Sequence, residues 1–173
     1  MGTTPSDKSG DLLVRLYDLP ETPADARVAA AGITIRRALP PERYAVRDWI
    51  VERFSAYWGG EAEMALSQFP TTIWLAIKDG KLLGFACHDA SAKGFFGPTG
   101  VDESMRGQGV GEALLFATLR GMREAGYAYA VIGDPGPVEF YMKRLDAMPI
   151  PKSSPGIYRG MLPLRRDAAD QQG

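Results

Sequence analysis

A glycine-rich turn in the middle of the chain carries the residues best suited to bind a phosphate. The segment Arg106-Gly107-Gln108-Gly109-Val110-Gly111 leads into a helical pattern that ends at Gly126. A helix leaves its first N–H groups unpaired, and Ser, Thr, Asp or Asn usually caps them. Here the nearest residues are glycines, which let the backbone approach a bulky group, and the helix dipole attracts negative charge. The turn therefore predicts a phosphate site; a turn that only tightens a strand–helix corner is the alternative.

The glycine spacing argues against two common kinds of nucleotide site. Counted from Gly107, the sixth position of the dinucleotide pattern G-x-G-x-x-G is Glu112 instead of glycine. The P-loop pattern needs Gly-Lys-Ser or Gly-Lys-Thr, and the chain contains neither. We therefore expect neither a Rossmann dinucleotide nor ATP or GTP in a P-loop.

The turn resembles the coenzyme A pyrophosphate loop of the GNAT (GCN5-related) N-acetyltransferases. The family loop reads Arg or Gln, two residues, Gly, one residue, then Gly or Ala, and Arg106, Gly109 and Gly111 match it. Val101, five residues before the arginine, stands where the family's fourth strand binds pantetheine through its backbone. The resemblance implies acetyl-coenzyme A (acetyl-CoA) as the co-substrate.

The resemblance also implies which residues bind this co-substrate. They are Gly100, Val101, Arg106, Gly107, Gln108, Gly109, Val110, Gly111, Glu112 and Tyr141. The chain departs from the family pattern at Glu103, where many members have proline. Because Asp102 adds a second carboxylate, both acidic side chains are expected to point away from the phosphates.

The strand expected over Phe95–Val101 is interrupted by Gly97-Pro98-Thr99-Gly100. Proline removes a ladder N–H and glycine weakens a strand interior, so the pair predicts a bulge or backbone left unpaired for a ligand. A plain edge-strand proline is the alternative. In the GNAT fold that the chain resembles, the fourth strand bulges and parts from the fifth, and acyl-pantetheine lies in the resulting cleft like an added strand.

A second segment supplies the candidate catalytic residue. Gly133-Asp134-Pro135-Gly136-Pro137 follows a predicted strand, and Pro137 suits the first turn of the helix after it. The segment resembles the GNAT pattern Asn-x-x-Ala-x-x-aromatic or aliphatic-Tyr, with Asp134 for asparagine, Pro137 for alanine and Tyr141 on the tyrosine. The resemblance implies that Tyr141 lies beside the thioester sulfur and protonates the departing thiolate as a general acid. Without the resemblance, the simplest interpretation of Tyr141 is an aromatic residue packed at a helix–sheet junction.

The amine that attacks the thioester must first lose a proton. For a lysine-like amine of pKa ~10.4 this costs about 4.6 kcal/mol at neutral pH, so a base or a water relay is expected. The candidates are His88, the single histidine, and Asp134, with Asp89, Glu61 and Glu63 as further carboxylates. The alternatives are a structural role for the histidine, a helix cap for Asp134, and a solvated face for the two glutamates.

Acceptor selection in the family usually falls to the loop between the first two helices and to the last strands. Tyr57, Trp58 and Glu61 are the expected acceptor contacts, although Trp58 could equally be core, and a last strand is expected over residues 157–161. The expected reaction is direct transfer of an acetyl group from acetyl-CoA to a primary amine of a small molecule. A non-catalytic acyl-CoA-binding sensor on the same fold is the alternative, and a nucleotide binder is a weaker one.

Composition limits the other function classes. The 173 residues suit one domain, and 20 basic against 21 acidic residues leave a net charge of −1 without the basic footprint of a nucleic-acid or membrane-surface protein. The single Cys87 cannot build a disulfide framework or a Cys-rich metal site, so no metal is expected. No apolar segment approaches the ~20 residues of a membrane span, and the first ten residues are polar; we expect a soluble, cytoplasmic protein.

Periodicity predicts the elements that position these residues. A strand over 12–17 and a short helix over 24–31 form an extension, residues 11–32, that covers a sheet edge or contacts a second subunit, as in a homodimer. The GNAT domain is expected over 33–164, between flexible ends at 1–10 and 165–173. It begins with a strand over 33–38 and a helix that reaches Tyr57 and breaks at Gly59-Gly60.

A short helix over 61–69 and two strands joined by a hairpin at Asp79-Gly80 are predicted next. The strand before the turn, the helix after it, and a strand over 127–132 then form a parallel crossover. The resemblance implies an α/β GNAT fold: a mixed, mostly antiparallel sheet with helices on both faces and splayed fourth and fifth strands.

Overall fold

The structure, a computed structural model, describes residues 10–164 of the chain. Within that range the strands are β1 (Leu12–Arg15), β2 (Thr34–Arg37), β3 (Ile73–Lys78), β4 (Lys81–His88), β5 (Phe95–Val101), β6 (Tyr129–Ile132) and β7 (Met148–Pro149). The α-helices are α1 (Ala24–Ala30), α2 (Arg43–Arg53), α3 (Ala56–Leu66), α4 (Val110–Glu124) and α5 (Val138–Leu145). The predicted hairpin at Asp79-Gly80 joins β3 to β4, and both turn residues have positive φ.

The seven strands in this range form one sheet in the order β2-β3-β4-β5-β6-β1-β7. Only β5 and β6 run parallel; the other neighbouring pairs are antiparallel. Helix α4 connects the parallel pair, as the predicted crossover requires. The predicted α/β fold with a mixed, mostly antiparallel sheet is confirmed.

Helices cover both faces of the sheet. On one face α2 and α3 bury Ile50 and Ala62 against Phe85 of β4. On the other face α1 and α4 bury Val28 and Leu114 in a second cluster. Burial of each large apolar side chain contributes about 1.5–3 kcal/mol, so α4 and the turn that opens it are held firmly on the sheet. Among residues 10–164, no helix has the length and apolar character needed to cross a membrane.

The N-terminal segment is part of the sheet and of its core. Strand β1 pairs with β6 on one side and with β7 on the other, so the segment covers the edge of β6. Leu12, Val14 and Leu16 are fully buried. Helix α1 is tied to α4 by a bidentate ion pair between Asp25 and Arg120, with N–O distances of 2.8 and 3.1 Å.

The predicted helix break at Gly59-Gly60 is wrong. The chain breaks earlier, at Phe54-Ser55, and both glycines lie inside α3, which the Ser55 side chain caps by accepting from the Trp58 N–H. Gly59 is buried where α3 crosses α2, and a Cβ there would lie 2.4 Å from Val51 Cγ2. This glycine is therefore a packing residue, not a helix terminator.

The predicted last strand over residues 157–161 is also wrong. Gly156–Tyr158 forms a 3₁₀ turn, and the strand that closes the sheet is the short β7. The chain instead folds back over α3, where the Tyr57 hydroxyl accepts from the Leu164 N–H at 2.8 Å. The predictions for 1–10, apart from Gly10, and for 165–173 lie outside the described residues.

Candidate active site

A cleft opens between the two parallel strands. β6 pairs with β5 only at Phe95 and Phe96, whereas on its other side β5 stays paired with β4 as far as Val101. The register of β5 against β4 shifts between Ala86 and His88, opposite the Gly97-Pro98 interruption, so the predicted bulge is present. From Gly97 onward, the edge of β5 that faces β6 has no strand partner in the described range. The predicted splay of these two strands is confirmed.

A cavity of about 510 Å³ lies at the split. One wall comes from β5 and from the segment after β6, including Asp134 and Tyr141. The start of α3 also lines the cavity, with Tyr57, Trp58 and Glu61. The structure thus brings the predicted acid and all three predicted acceptor contacts to one cavity.

Tyr141 lies on α5 with its ring against β5. Its ring centroid is 6.4 Å from that of Phe96 in an edge-on contact, and the residue is only 6% exposed. Among the described residues, no side chain or backbone group forms a hydrogen bond with its hydroxyl. Burial raises the pKa of Tyr141 to about 12, because the phenolate would lose its hydration. The group is a neutral phenol with a free donor at physiological pH.

The glycine-rich turn opens α4 as the sequence predicts. Gly107 and Gly109 have φ of 78° and 85°, a left-handed conformation that glycine adopts without strain. Gly109 is the N-cap residue and supplies no side-chain cap, so the first N–H groups of α4 remain available to an anion. Gly111 lies beside Val101 at the end of β5; a Cβ on it would be 3.5 Å from Val101 Cγ2. The turn therefore adjoins the end of the unpaired strand edge.

A family comparison identifies the kind of protein to which this fold belongs. The profile of the Acetyltransferase (GNAT) family matches residues 43–145, more than half of the chain. The chain belongs to the GNAT acetyltransferase family. Among curated protein sequences, none matches significantly.

Solved GNAT structures share the fold. A GCN5-related glucosamine N-acetyltransferase region of a fungal multi-domain GH3 β-N-acetylglucosaminidase superposes with a TM-score of 0.68 at 14% identity, covering 82% of this chain and 19% of that one. GCN5-related N-acetyltransferases from Sphaerobacter thermophilus (TM-score 0.56, 20% identity) and Kribbella flavida (0.56, 25%) each cover 82% of this chain, and 48% and 54% of their own. This chain spans about half or less of the length of these structures.

Glu61 belongs to a polar network in the GNAT cavity. Its carboxylate accepts a hydrogen bond from the Ser91 hydroxyl, and the Tyr158 hydroxyl in turn donates to Ser91 Oγ at 3.4 Å. Ser91 and Tyr158 line the cavity, and sequence reasoning missed both. Ser91 belongs to no recognisable sequence motif, so nothing in the sequence marked it. Tyr158 lies in the segment that was predicted to be a strand. Glu63, the other glutamate among the candidate bases, does not line the cavity. Its Oε1 forms an ion pair with Arg47 Nη1 at 3.3 Å.

Asp134 lines the cavity but does not cap a helix. The N-cap of α5 is Pro137, and no side chain caps that helix. The backbone N–H of Asp134 donates to Asp11 Oδ1 at 3.2 Å, which ties this corner to the N-terminal segment. The exposed Asp134 carboxylate stays free to face a ligand.

His88 lies away from the cavity. It is 2% exposed, its Nδ1 is 3.0 Å from Asp89 Oδ2, and its ring lies against Trp74. Burial lowers the pKa of His88 despite the opposing effect of Asp89, so the imidazole is neutral. Asp89 also accepts from the Tyr127 hydroxyl at 2.9 Å. Neither His88 nor Asp89 lines the cavity.

Two carboxylates near the glycine-rich turn, those of Asp102 and Glu112, are held by other side chains. Asp102 accepts from Arg53 Nε at 2.9 Å and from Ser104, and these bonds lower its pKa to about 2, with Ser104 the largest cause. Burial alone would raise the pKa of Glu112, but hydrogen bonds from Thr22 and Arg144, both at 2.6 Å, outweigh it and lower the pKa. Glu112 can therefore offer a phosphate its backbone N–H while its side chain is held aside.

Proposed function

We propose that this GNAT protein transfers an acetyl group from acetyl-CoA to the amino group of a small-molecule acceptor by direct attack on the thioester. The observation that carries the proposal is the cavity at the β5–β6 split, which is lined both by Tyr141 and by the three predicted acceptor contacts Tyr57, Trp58 and Glu61. Two substrates that react directly need adjoining sites, and a single cavity lined by both sets of residues supports such an arrangement.

The path of the unpaired edge supports acetyl-CoA as the donor. The glycine-rich turn adjoins the Val101 end of β5, and Tyr141 contacts the Phe96 end. Five residue steps of a strand separate these ends by about 16 Å. A pyrophosphate on the turn and a pantetheine arm along Gly97–Val101 would bring the thioester to Tyr141. Membership in an acetyltransferase family supports the same donor.

The reaction needs two proton movements. The amine nitrogen attacks the thioester carbonyl carbon and the C–S bond breaks. The nitrogen gives up a proton, for which Asp134 or a water relay is the proposed acceptor, and the departing sulfur gains one. Tyr141 is the proposed donor to sulfur and is always protonated near neutral pH, since its pKa is about 12. Transfer from such a phenol to a thiolate of pKa ~8.5 is uphill by about 5 kcal/mol. The positive charge that develops on the attacking nitrogen lowers this cost, because a nearby cation favours the phenolate.

The test is turnover of acetyl-CoA with a panel of primary amines. Purified protein should release free coenzyme A thiol faster when an accepted amine is present, and mass spectrometry should find that amine heavier by one acetyl group. The rival function, an acyl-CoA-binding sensor, predicts acetyl-CoA binding by calorimetry with no amine-dependent thiol release. That outcome would replace the enzymatic proposal.

A further inference from the structure

We propose that the acceptor is an organic cation: a primary amine on an aromatic or aliphatic body that carries no carboxylate, phosphate or sulfate. This inference rests on the proposed function and names its substrate class.

The cavity walls carry negative charge that nothing in them balances. Glu61 and Asp134 contribute carboxylates, and none of the lining residues within 10–164 is Lys, Arg or His. A third carboxylate, Asp11, lies directly behind this wall, where it accepts the Asp134 N–H. An ammonium group would therefore meet attraction alone, whereas a carboxylate would meet repulsion without a compensating cation.

The negative charge of these carboxylates also acts on the Tyr158 hydroxyl, which lies inside the cavity. Burial raises its pKa and the hydrogen bond with Ser91 lowers it, while the charges of Glu61, Asp11 and Asp134 all raise it further. Three carboxylates from distant parts of the chain thus act on one hydroxyl that lines the cavity. The negative potential of the cavity therefore does not depend on one side chain alone.

Aromatic surfaces make up much of the remaining wall. Among the aromatic residues that line the cavity are Tyr57, Trp58, Phe95 and Tyr158. The Trp58 ring packs against the ring of Phe54, with the two centroids 5.0 Å apart. Faces of Trp and Tyr attract cations and stack on flat apolar groups. Such walls suit the hydrocarbon or aryl body of an amine better than an anionic group.

Matched amine pairs that differ by one carboxylate test the substrate class. The pairs are tyramine and tyrosine, tryptamine and tryptophan, and cadaverine and lysine. We expect kcat/KM, measured by thiol release, to favour the member without the carboxylate by at least about tenfold in each pair that reacts. Equal or reversed preference would overturn the inference.

Binding of the same pairs keeps this test separate from the test of catalysis. Calorimetry on the protein saturated with coenzyme A should show tighter binding of the decarboxylated members. If no amine is acetylated, the proposed function fails, yet this binding preference still decides the substrate class. Binding without such a preference would count against the substrate class even in an active enzyme.

Variants that remove the charge of a cavity carboxylate provide a second test of the substrate class. Glu61→Gln removes a negative charge and keeps the side-chain shape. Because the attraction for an ammonium group weakens, KM for tyramine or cadaverine should rise about tenfold and the preference within each pair should shrink. The affinity for acetyl-CoA should stay unchanged. Asp134→Asn should act in the same direction. The matched control is Glu63→Gln, two residues along the same helix and outside the cavity, which should change neither value. Unaltered preference in both Glu61→Gln and Asp134→Asn would refute the assignment.

Discussion

Arg27 of α1 donates a hydrogen bond from Nη2 to the Gly107 carbonyl oxygen at 3.3 Å. This contact joins the N-terminal segment, which lies outside the matched part of the family, to the turn that opens α4. Its aliphatic stem lies beside Gly109, where a Cβ would be 3.5 Å from Arg27 Cδ. The contact ties α1 to the turn and places a cation next to the proposed pyrophosphate site.

Replacement of Arg27 by Gln should weaken acetyl-CoA binding. The loss of one exposed cation should raise Kd about three- to tenfold, which is about 0.7–1.4 kcal/mol, as measured by calorimetry. The difference from wild type should shrink at high salt, because screening weakens exposed charge interactions. Arg123→Gln, an exposed arginine near the other end of α4, is the control and should bind normally. Equal affinity of Arg27→Gln and wild type would remove Arg27 from the site.

Gly109→Val should abolish acetyl-CoA binding while the protein stays folded. A β-branched residue at φ 85° is strained by about 1–2 kcal/mol and would displace the N–H groups that face the phosphate. Gly80→Val introduces similar strain at φ 72° in the β3–β4 hairpin, where a Cβ meets no atom within 4 Å. The control should lose similar stability and still bind acetyl-CoA. Normal affinity of Gly109→Val would mean that the turn does not hold the cofactor.

Tyr141→Phe should lower kcat far more than it changes acetyl-CoA affinity. General acid catalysis contributes about 100- to 10,000-fold, whereas the phenyl ring keeps its packing against Phe96. Steady-state kinetics and calorimetry separate the two quantities. Tyr127→Phe also removes a hydroxyl, one that bonds Asp89 outside the cavity, and should leave kcat near the wild-type value. An unchanged kcat in Tyr141→Phe would exclude this tyrosine from the mechanism.

Activity should not fall at alkaline pH through ionisation of Tyr141. Because burial raises its pKa to about 12, the phenol keeps its proton beyond pH 10, where an ordinary tyrosine of pKa ~10 would be half ionised. The pH profile of kcat should therefore show no falling limb near pH 10 that disappears in Tyr141→Phe. A limb of that kind would show that bound substrates lower this pKa before the chemical step.

Two adjacent glycines of α3 should respond oppositely to alanine. Gly60→Ala should stabilise the protein by about 0.5–1 kcal/mol, because alanine is the better helix former and a Cβ there meets nothing within 4 Å. Gly59→Ala should destabilise it by about 1–3 kcal/mol, since its Cβ would lie 2.4 Å from Val51 Cγ2. Urea unfolding measures both changes. Similar gains from the two substitutions would contradict the close approach of α2 and α3.

Local signals in the sequence determined much of the fold. The Asp79-Gly80 hairpin, the β5 boundaries and the glycine-rich turn were predictable because each depends on residues adjacent in the chain. The resemblance of the short segment 134–141 to the family pattern led to the expectation that Tyr141 lies at the cleft, and Tyr141 does line the cavity there. Its role as the acid stays a prediction. Periodicity likewise predicted α4, since one helix face carries its apolar residues.

Only the tertiary structure decided which of the candidate residues meet. It placed β1 between β6 and β7, inserted Gly59 into a helix crossing, and brought Glu61 to the cavity while Glu63 and His88 lie outside it. These outcomes depend on contacts between segments far apart in the chain, such as Asp134 with Asp11. No local pattern encodes such contacts, because the partner of a residue is set by how whole elements pack against one another.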